Sequence, residues 1–451
     1  MDEAQAGPWN PDRRWADPLI TLLLLLSLLS AWGTLAARRI HRPEPQRPGL
    51  QTRTQELRQS AQGLTHLPFA PRPLQETAGT AFWDRALLSI LAAERGEVAT
   101  GQRLALENPA PPNSRGESFR RAWLAAYESG EAPTAEELDH LREPLGGGFA
   151  YWSLRGRLAE RASQDPEPCR ARARAWAQPR VFALKLGFLL SLCLALLGLI
   201  GAAGLLFTRK GPRPAPLPRL GMPWRALALA LLGWFIALRF SGTVAALCLS
   251  VLPLPKIMAL PIAFAFHAWV GLSLLLRAEG LTLRAAWQRV TPGPLPRALG
   301  WGVVFLGIAI ASVVFIGLLA SPLVRGAEPP QRELLELVAG LRSPLATLLL
   351  LLTIAGLAPL FEEWVFRGFI LPWLGPRLAT RFGERGGWGL AILLSGLAFG
   401  AMHLEPTGLP TLATLGLVLG WAYFRTGNLW TTVAVHACWN ASAFLLMRVL
   451  A

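Results

Sequence analysis

The sequence predicts an all-α protein: a polytopic transmembrane helix bundle of about nine spans, with a hydrophilic, mostly helical insert between spans 1 and 2. Three observations carry that prediction. Of 451 residues, 52% are hydrophobic and only 16% charged, where a soluble domain carries about 25% charged residues. Apolar runs close to the ~20 residues that a helix needs to cross a bilayer recur along the chain. Between the first and second of those runs lies one long hydrophilic stretch, residues 38–180. The composition excludes a disordered chain, a collagen and a small disulfide scaffold. Four cysteines, three of them inside apolar runs, form neither a paired framework nor a metal motif.

The apolar runs fall at 18–37, 181–207, 226–252, 257–276, 299–320, 344–370, 388–404, 410–424 and 429–450. Residues 1–37 are then a tail and first anchor, and acidic Asp2, Glu3 and Asp12 ahead of the run favour an uncleaved anchor over a signal peptide. Residues 181–298 hold spans 2–4 with their loops, and 299–451 the remaining core. Pro253 and Pro255 separate the third run from the fourth, because proline removes a helical donor and clashes with the preceding turn. Basic residues collect in alternate loops: Arg209, Lys210, Arg213, Arg219 and Arg225, then Arg277, Arg284, Arg289 and Arg297, then Arg377, Arg381 and Arg385. Such loops stay in the cytoplasm, which puts the insert on the other side. Arg38, Arg39, Arg42 and Arg47 pull against that orientation, and the downstream alternation outweighs them. The formal charge of +15 thus resolves into arginines that flank spans and meet anionic lipid headgroups, not nucleic acid.

Within the insert, residues 38–75 are rich in Arg, Gln, Pro and Thr and read as a linker. From about residue 80 the period turns helical. FWDRALLSILAAE puts Phe82, Leu87, Leu88, Ile90 and Leu91 near one face, and FRRAWLAAYESG repeats this with Phe119, Trp123, Leu124 and Tyr127 before Gly130. Thr134 and Glu137 have capping-box spacing, and YWSLRGRLAERA forms a fourth helix. No catalytic constellation occurs here, so the expected role is recognition of a protein partner or control of access.

Residues 181–451 carry 21 basic and only eight acidic groups. Two of those acids, Glu362 and Glu363, lie with Arg367 in the apolar stretch APLFEEWVFRGFILPWL. Ionised groups in a bilayer cost at least about 2.5–3.5 kcal/mol each, so they face the protein interior and usually serve function. Glu363 and Arg367 are four apart in the favourable acid-first order and neutralise one another. Glu362, rotated by about 100°, has no local partner. Downstream, His403 follows Phe399 by four, and His436 precedes Asn440 by four. His267 has no polar neighbour at helical spacing and is expected to make an interhelical hydrogen bond.

A carboxylate and an imidazole can polarise water and return its proton to a leaving amine. A second imidazole and a carboxamide can donate to a tetrahedral oxyanion. Glu362, His403 and His436 equally suit Zn²⁺ with an open water position. No HExxH pair and no GxSxG nucleophile is present. A tilt, or a break near Pro359, is needed to bring the four groups to one depth. The alternative is a catalytically silent membrane scaffold or immunity-type protein whose insert binds a partner. A transporter would want an inverted repeat with broken helices, and neither is visible.

The three motifs, Glu362-Glu363-x-x-x-Arg367, Phe399-x-x-x-His403 and His436-x-x-x-Asn440, resemble those of the CPBP intramembrane proteases. That family includes CAAX prenyl endopeptidases and Abi-type bacteriocin-processing proteins. The resemblance covers roughly residues 300–451. It implies a multi-pass protein of a bacterial-type cytoplasmic membrane that cleaves a membrane-associated or lipid-linked peptide. It implies further that Glu362 and His403 activate the water, that His436 and Asn440 hold the oxyanion, and that Glu363 and Arg367 support the site. Both a zinc-dependent and a metal-free glutamate mechanism accord with these residues.

Overall fold

Every regular element among the described residues is helical, and no β-strand occurs among them. The computed structural model describes residues 82–106, 114–131, 133–207, 219–252, 258–322 and 343–450, with isolated positions at 55–57, 59–60, 217, 334, 337–338 and 340–341. The chain divides into two compact units, one built from residues within 191–322 and 341–443 and the other mainly from residues within 42–190.

The second unit contains α1 (Phe82–Glu94), α2 (Val98–Leu106), α3 (Ser114–Tyr127), α4 (Ala135–His140) and α5 (Phe149–Arg161). Its core contains the apolar stripe that the periodicity marked, Leu87, Leu88, Ile90 and Leu91 of α1 with Phe119 and Trp123 of α3, joined by Tyr151 and Leu154 of α5, all of them buried. Phe82 and Trp83 meet edge-on at 5.0 Å, and both rings meet Phe119 in the same manner. The capping box forms as its spacing predicts, since Thr134 Oγ1 accepts from the Glu137 amide at 3.3 Å while Glu137 Oε2 accepts from the Thr134 amide at 2.9 Å. Helix α2 lies outside the four helices expected. Its Gly101 weakens helix propensity, yet a Cβ there would stand 2.7 Å from the Ser89 carbonyl oxygen and 2.9 Å from the Trp123 ring. Close packing on α1 and α3 is what makes this segment helical.

One part of the linker expectation is corrected. Residues 55–57, 59 and 60 are helical and buried. The Glu56 carboxylate accepts from the Ala150 amide at 2.8 Å, in the first turn of α5. A carboxylate at a helix N-terminus satisfies an orphan donor and suits the helix dipole. The polar composition of 38–75 conceals that docking segment.

Helix α6 (Glu167–Phe207) runs 41 residues without interruption through Pro179. At ~1.5 Å per residue it spans about 60 Å, twice the hydrocarbon thickness. The remaining helices are α7 (Trp224–Val251), α8 (Ala259–Glu279), short α9 (Leu283–Val290), α10 (Leu295–Ala320), a stretch over Pro344–Met402, then α13 (Leu409–Thr426) and α14 (Leu429–Leu450). Gly383, at φ 72° and ψ 163°, divides the 59-residue stretch into α11 (344–382) and α12 (384–402). Two expected spans are thereby accounted for.

Among the described residues, six helical segments are long and apolar enough to cross a membrane, and α13 is helical without being one of the six. The first expected span, with Pro253 and Pro255, lies outside the described residues. Large apolar side chains point outward along these helices: Phe188 is 73% exposed, Ile200 71% and Leu318 69%. That pattern is the one that lipid, not water, accommodates, and the chain is a multi-pass membrane protein.

His267 differs from expectation. Its Nδ1 donates to the Ala263 carbonyl of its own helix at 2.9 Å, and its ring packs on Phe264 and Phe361. The bond is intrahelical because the neighbouring surface is aromatic.

Candidate active site

Three helices bring the motif residues together, and their close approach has a local cause. Gly396 and Gly400 of α12 face α13, where a Cβ on Gly400 would stand 2.8 Å from the Ala413 nitrogen and one on Gly416 would stand 2.8 Å from the Gly396 oxygen. Small residues four apart let membrane helices touch backbone to backbone. As a result the Gly416 carbonyl lies within reach of Arg367 on α11, which donates to it through Nη2 at 2.8 Å.

Arg367 and Glu363 form the buried half of the site. Arg367 Nη1 donates to Glu363 Oε1 at 2.8 Å, and both side chains have 0% exposure. The same carboxylate oxygen accepts from His436 Nδ1 at 2.9 Å. Phe399 fills the space between these groups. The Arg367 guanidinium carbon lies 4.8 Å from its ring centroid, a cation–π arrangement. The His403 and His436 rings lie 5.0 and 5.4 Å away from the same ring. Arg367, His403 and His436 therefore all pack around this phenylalanine.

The other half is less enclosed. Glu362 Oε2 stands 4.0 Å from His403 Nε2 and 3.9 Å from His436 Nε2, and that oxygen is buried without a hydrogen-bond partner in the protein. Both imidazoles are held by their other nitrogen. His403 Nδ1 donates to the Phe399 carbonyl at 2.8 Å, while His436 Nδ1 serves Glu363. An oxygen of that kind only accepts, so each neutral ring leaves Nε2 as an acceptor. Three acceptor atoms thus face one point.

A 4.0 Å gap between two acceptors is spanned by one water at about 2.8 Å from each. Ligand atoms on a tetrahedral zinc at about 2.0–2.1 Å stand closer, about 3.3–3.4 Å apart. Among the described residues no group of three His, Cys, Asp or Glu side chains is arranged to hold a metal ion. The placement of Glu362, His403 and His436 suits water better than zinc.

Asn440 lies one turn beyond His436, and its Nδ2 donates to the Ile354 carbonyl at 2.9 Å. Ile354 belongs to a π-helical turn, Thr353–Leu357, and a second π-helical turn covers Trp364–Ile370. The two flank the short α-helical segment Ala358–Glu363 that carries the acids. Wide turns of this type recur at functional sites and loosen the carbonyl ladder. The adjustment expected as a break near Pro359 is therefore a pair of π turns in an unbroken helix. Gly416 and Ile354 escaped the sequence reading because both act through carbonyl oxygens, which no side chain announces. The Gly396–Gly400 spacing was the legible trace of the first.

Two carboxylates, a guanidinium and two imidazoles thus converge between helices of a multi-pass membrane protein. The family model described as type II CAAX prenyl endopeptidase Rce1-like matches residues 344–442. That match is consistent with the CPBP resemblance, and Glu362, Glu363, Arg367, Phe399, His403, His436 and Asn440 all fall inside the matched segment. No curated protein and no solved structure matches the sequence.

Proposed function

We propose that this protein is an intramembrane endopeptidase of the CAAX type, hydrolysing a peptide bond of a membrane-associated substrate with water activated by Glu362 and His403. The observation that carries the proposal is the convergence of two anchored imidazoles on the unpartnered Glu362 oxygen.

Water held between Glu362 Oε2 and His403 Nε2 donates one proton toward each acceptor, which leaves its lone pairs free to attack a carbonyl carbon. The proton taken by Glu362 or His403 passes to the leaving amine as the tetrahedral intermediate collapses. His436 can donate to the oxyanion only when both ring nitrogens are protonated. Glu363 accepts from Nδ1 of that ring, and Arg367 holds the carboxylate in place. Asn440 retains one amide hydrogen beyond the bond to Ile354, and that hydrogen is available to the oxyanion. Removing an oxyanion donor costs roughly 2.7–4 kcal/mol of transition-state stabilisation.

The test is cleavage of a membrane-anchored peptide by the purified full chain in vesicles, with Glu362→Gln and His403→Ala beside the wild type. Loss of cleavage in both variants, with unchanged thermal unfolding, supports the mechanism. Cleavage retained in both overturns it and favours a scaffold role. Metal analysis of the same preparation, with activity after chelation, separates the two water-activation schemes: stoichiometric zinc lost together with activity would establish the metal-bound form.

A further inference from the structure

One tryptophan of the helical module gathers three arginines. The guanidinium carbon of Arg172 lies 4.7 Å from the Trp152 ring centroid, that of Arg155 5.7 Å and that of Arg142 5.9 Å. Trp152 and Arg155 belong to α5, Arg172 to the second turn of α6, and Arg142 to the turn that follows α4. Trp152 is buried, whereas Arg142 and Arg172 are exposed. Gly147, at φ +61°, seats the Arg142 stem, since a Cβ there would stand 3.4 Å from its Cγ and Nε. Contact with an aromatic ring stabilises a guanidinium by a cation–π interaction and leaves the N–H fork available to an anion.

Only one of the three has a carboxylate. Arg155 Nη1 donates to Asp139 Oδ1 at 2.9 Å, and the same oxygen accepts from the Tyr151 hydroxyl. Arg142 and Arg172 form no ion pair among the described residues. The acids nearest them in the chain are engaged elsewhere: Glu143 with Arg115 at 3.5 Å, Glu137 with Arg121 and Glu167 with Arg174. Residues 82–180 contain 14 arginines and 14 acids. The module is thus neutral as a whole, and the two guanidiniums on Trp152 are a local excess of positive charge.

Charge and position along α6 select the occupant. Arg172 precedes Val181, where the apolar run of this unbroken helix begins, by about 14 Å at ~1.5 Å per residue. The headgroup layer reaches only about 5–8 Å beyond the hydrocarbon on each side, so a lipid headgroup lies below the site. Nucleic acid needs a run of cations to match its phosphates, and a neutral module does not supply one. Two forks presented from separate elements on an open surface match the side-chain carboxylates of a short acidic segment. We infer that Arg142 and Arg172, held on Trp152, form a docking site for an acidic peptide segment of a partner protein. Each guanidinium takes one carboxylate by charge-assisted, two-pronged hydrogen bonding.

The experiment is fluorescence anisotropy of a labelled hexaglutamate peptide titrated with the intact full chain in phosphatidylcholine discs. Hexaglutamine is the uncharged control. Wild type is expected to bind hexaglutamate and not hexaglutamine, and to bind it more weakly as salt rises. Arg142→Gln or Arg172→Gln should weaken binding about fivefold each, the upper range for an exposed guanidinium–carboxylate pair, and the double variant about twentyfold. Arg103→Gln, exposed on α2, should leave binding unchanged. The double variant Arg142→Lys with Arg172→Lys keeps the charge but not the fork, and should lose about threefold. Unchanged binding in the double Gln variant would overturn the site. Equal loss in the Lys and Gln forms would overturn the assignment of charge. Displacement of the peptide by an equal concentration of inorganic phosphate would make this a free-anion site and overturn the peptide. Displacement by a soluble short-chain phosphatidylglycerol would reassign it to a lipid headgroup.

Discussion

The helical module over 82–161 and the membrane core differ in what they leave outside and in where their ion pairs lie. In the module, Phe119, Trp123 and Leu87 are at the centre, and the ion pairs Arg157–Glu94 and Arg155–Asp139 lie at the rim. In the membrane core, Phe188 and Leu318 face outward, while Glu363 and Arg367 have no exposure at all. The difference teaches which solvent each region meets. Where water is outside, apolar burial drives folding at roughly 25 cal/mol per Å². Where lipid is outside, an apolar side chain gains little by turning inward, and the specific interior contacts are small-residue packing and polar pairing. The ion pairs named here thus lie at the module's rim and at the centre of the membrane core.

The comparison can be broken by four measurements, in falling order of expected effect. Replacing Glu362 or His403 by Ala should lower peptide cleavage by about 10²–10⁴-fold, as loss of a general acid–base group does. Neither change should move the unfolding transition much, because neither side chain is fully buried. Arg367→Met should instead destabilise the membrane core by about 3–5 kcal/mol, since it leaves the Glu363 carboxylate buried without its cation. Unfolding in detergent reads this, and the double change with Glu363→Gln should recover part of the loss. A small effect of Arg367→Met would mean that polar pairing is as incidental in the membrane core as in the module.

In the module, Trp123→Ala should cost about 3–5 kcal/mol through lost transfer energy and a residual cavity. Hydrogen exchange in the full chain reports it as faster exchange across α1–α5 and unchanged protection in α11–α14. Thr134→Ala is the mildest change, about 1 kcal/mol from loss of the cap. The Thr134 amide, aided by the Arg121 guanidinium, holds the Glu137 carboxyl below its ordinary value. A carboxyl depressed on folding stabilises above its unfolded pKa, about 4.3, and that contribution disappears as pH falls through the folded value. Protection of α4 should therefore decline on acidification, and less so in Thr134→Ala. A pH-independent α4 would show that its cap is held by something other than this carboxylate.

Much of both regions was legible in the order of residues. Period alone marked the faces of α1 and α3, because a helical stripe in water must face a core. Run length marked the membrane helices because the bilayer fixes the length of a span. Helix α2 and the segment at 55–60 were not legible: one contains a glycine and the other is polar, and each is helical through what it packs against. In the membrane core the acid-first spacing of Glu363 and Arg367 announced their pair, since i,i+4 partners lie on the same helix. Nothing within α14 announces that His436 also reaches Glu363, 73 positions away.

The sequence by itself determined the helical class, most of the segments long and apolar enough to cross the membrane and the seven candidate site residues. Spacing along a helix places side chains on a face, and hydropathy places the helix in lipid. Only the tertiary structure decided which faces meet. It set both imidazole Nε2 atoms toward Glu362, gave the Ile354 carbonyl to Asn440 and drew the Gly416 carbonyl to Arg367. Those choices depend on backbone approach at Gly396, Gly400 and Gly416 and on two π turns around the acids. Such contacts join residues far apart in sequence through main-chain atoms, which are the same in every residue and so leave no mark in the order of side chains.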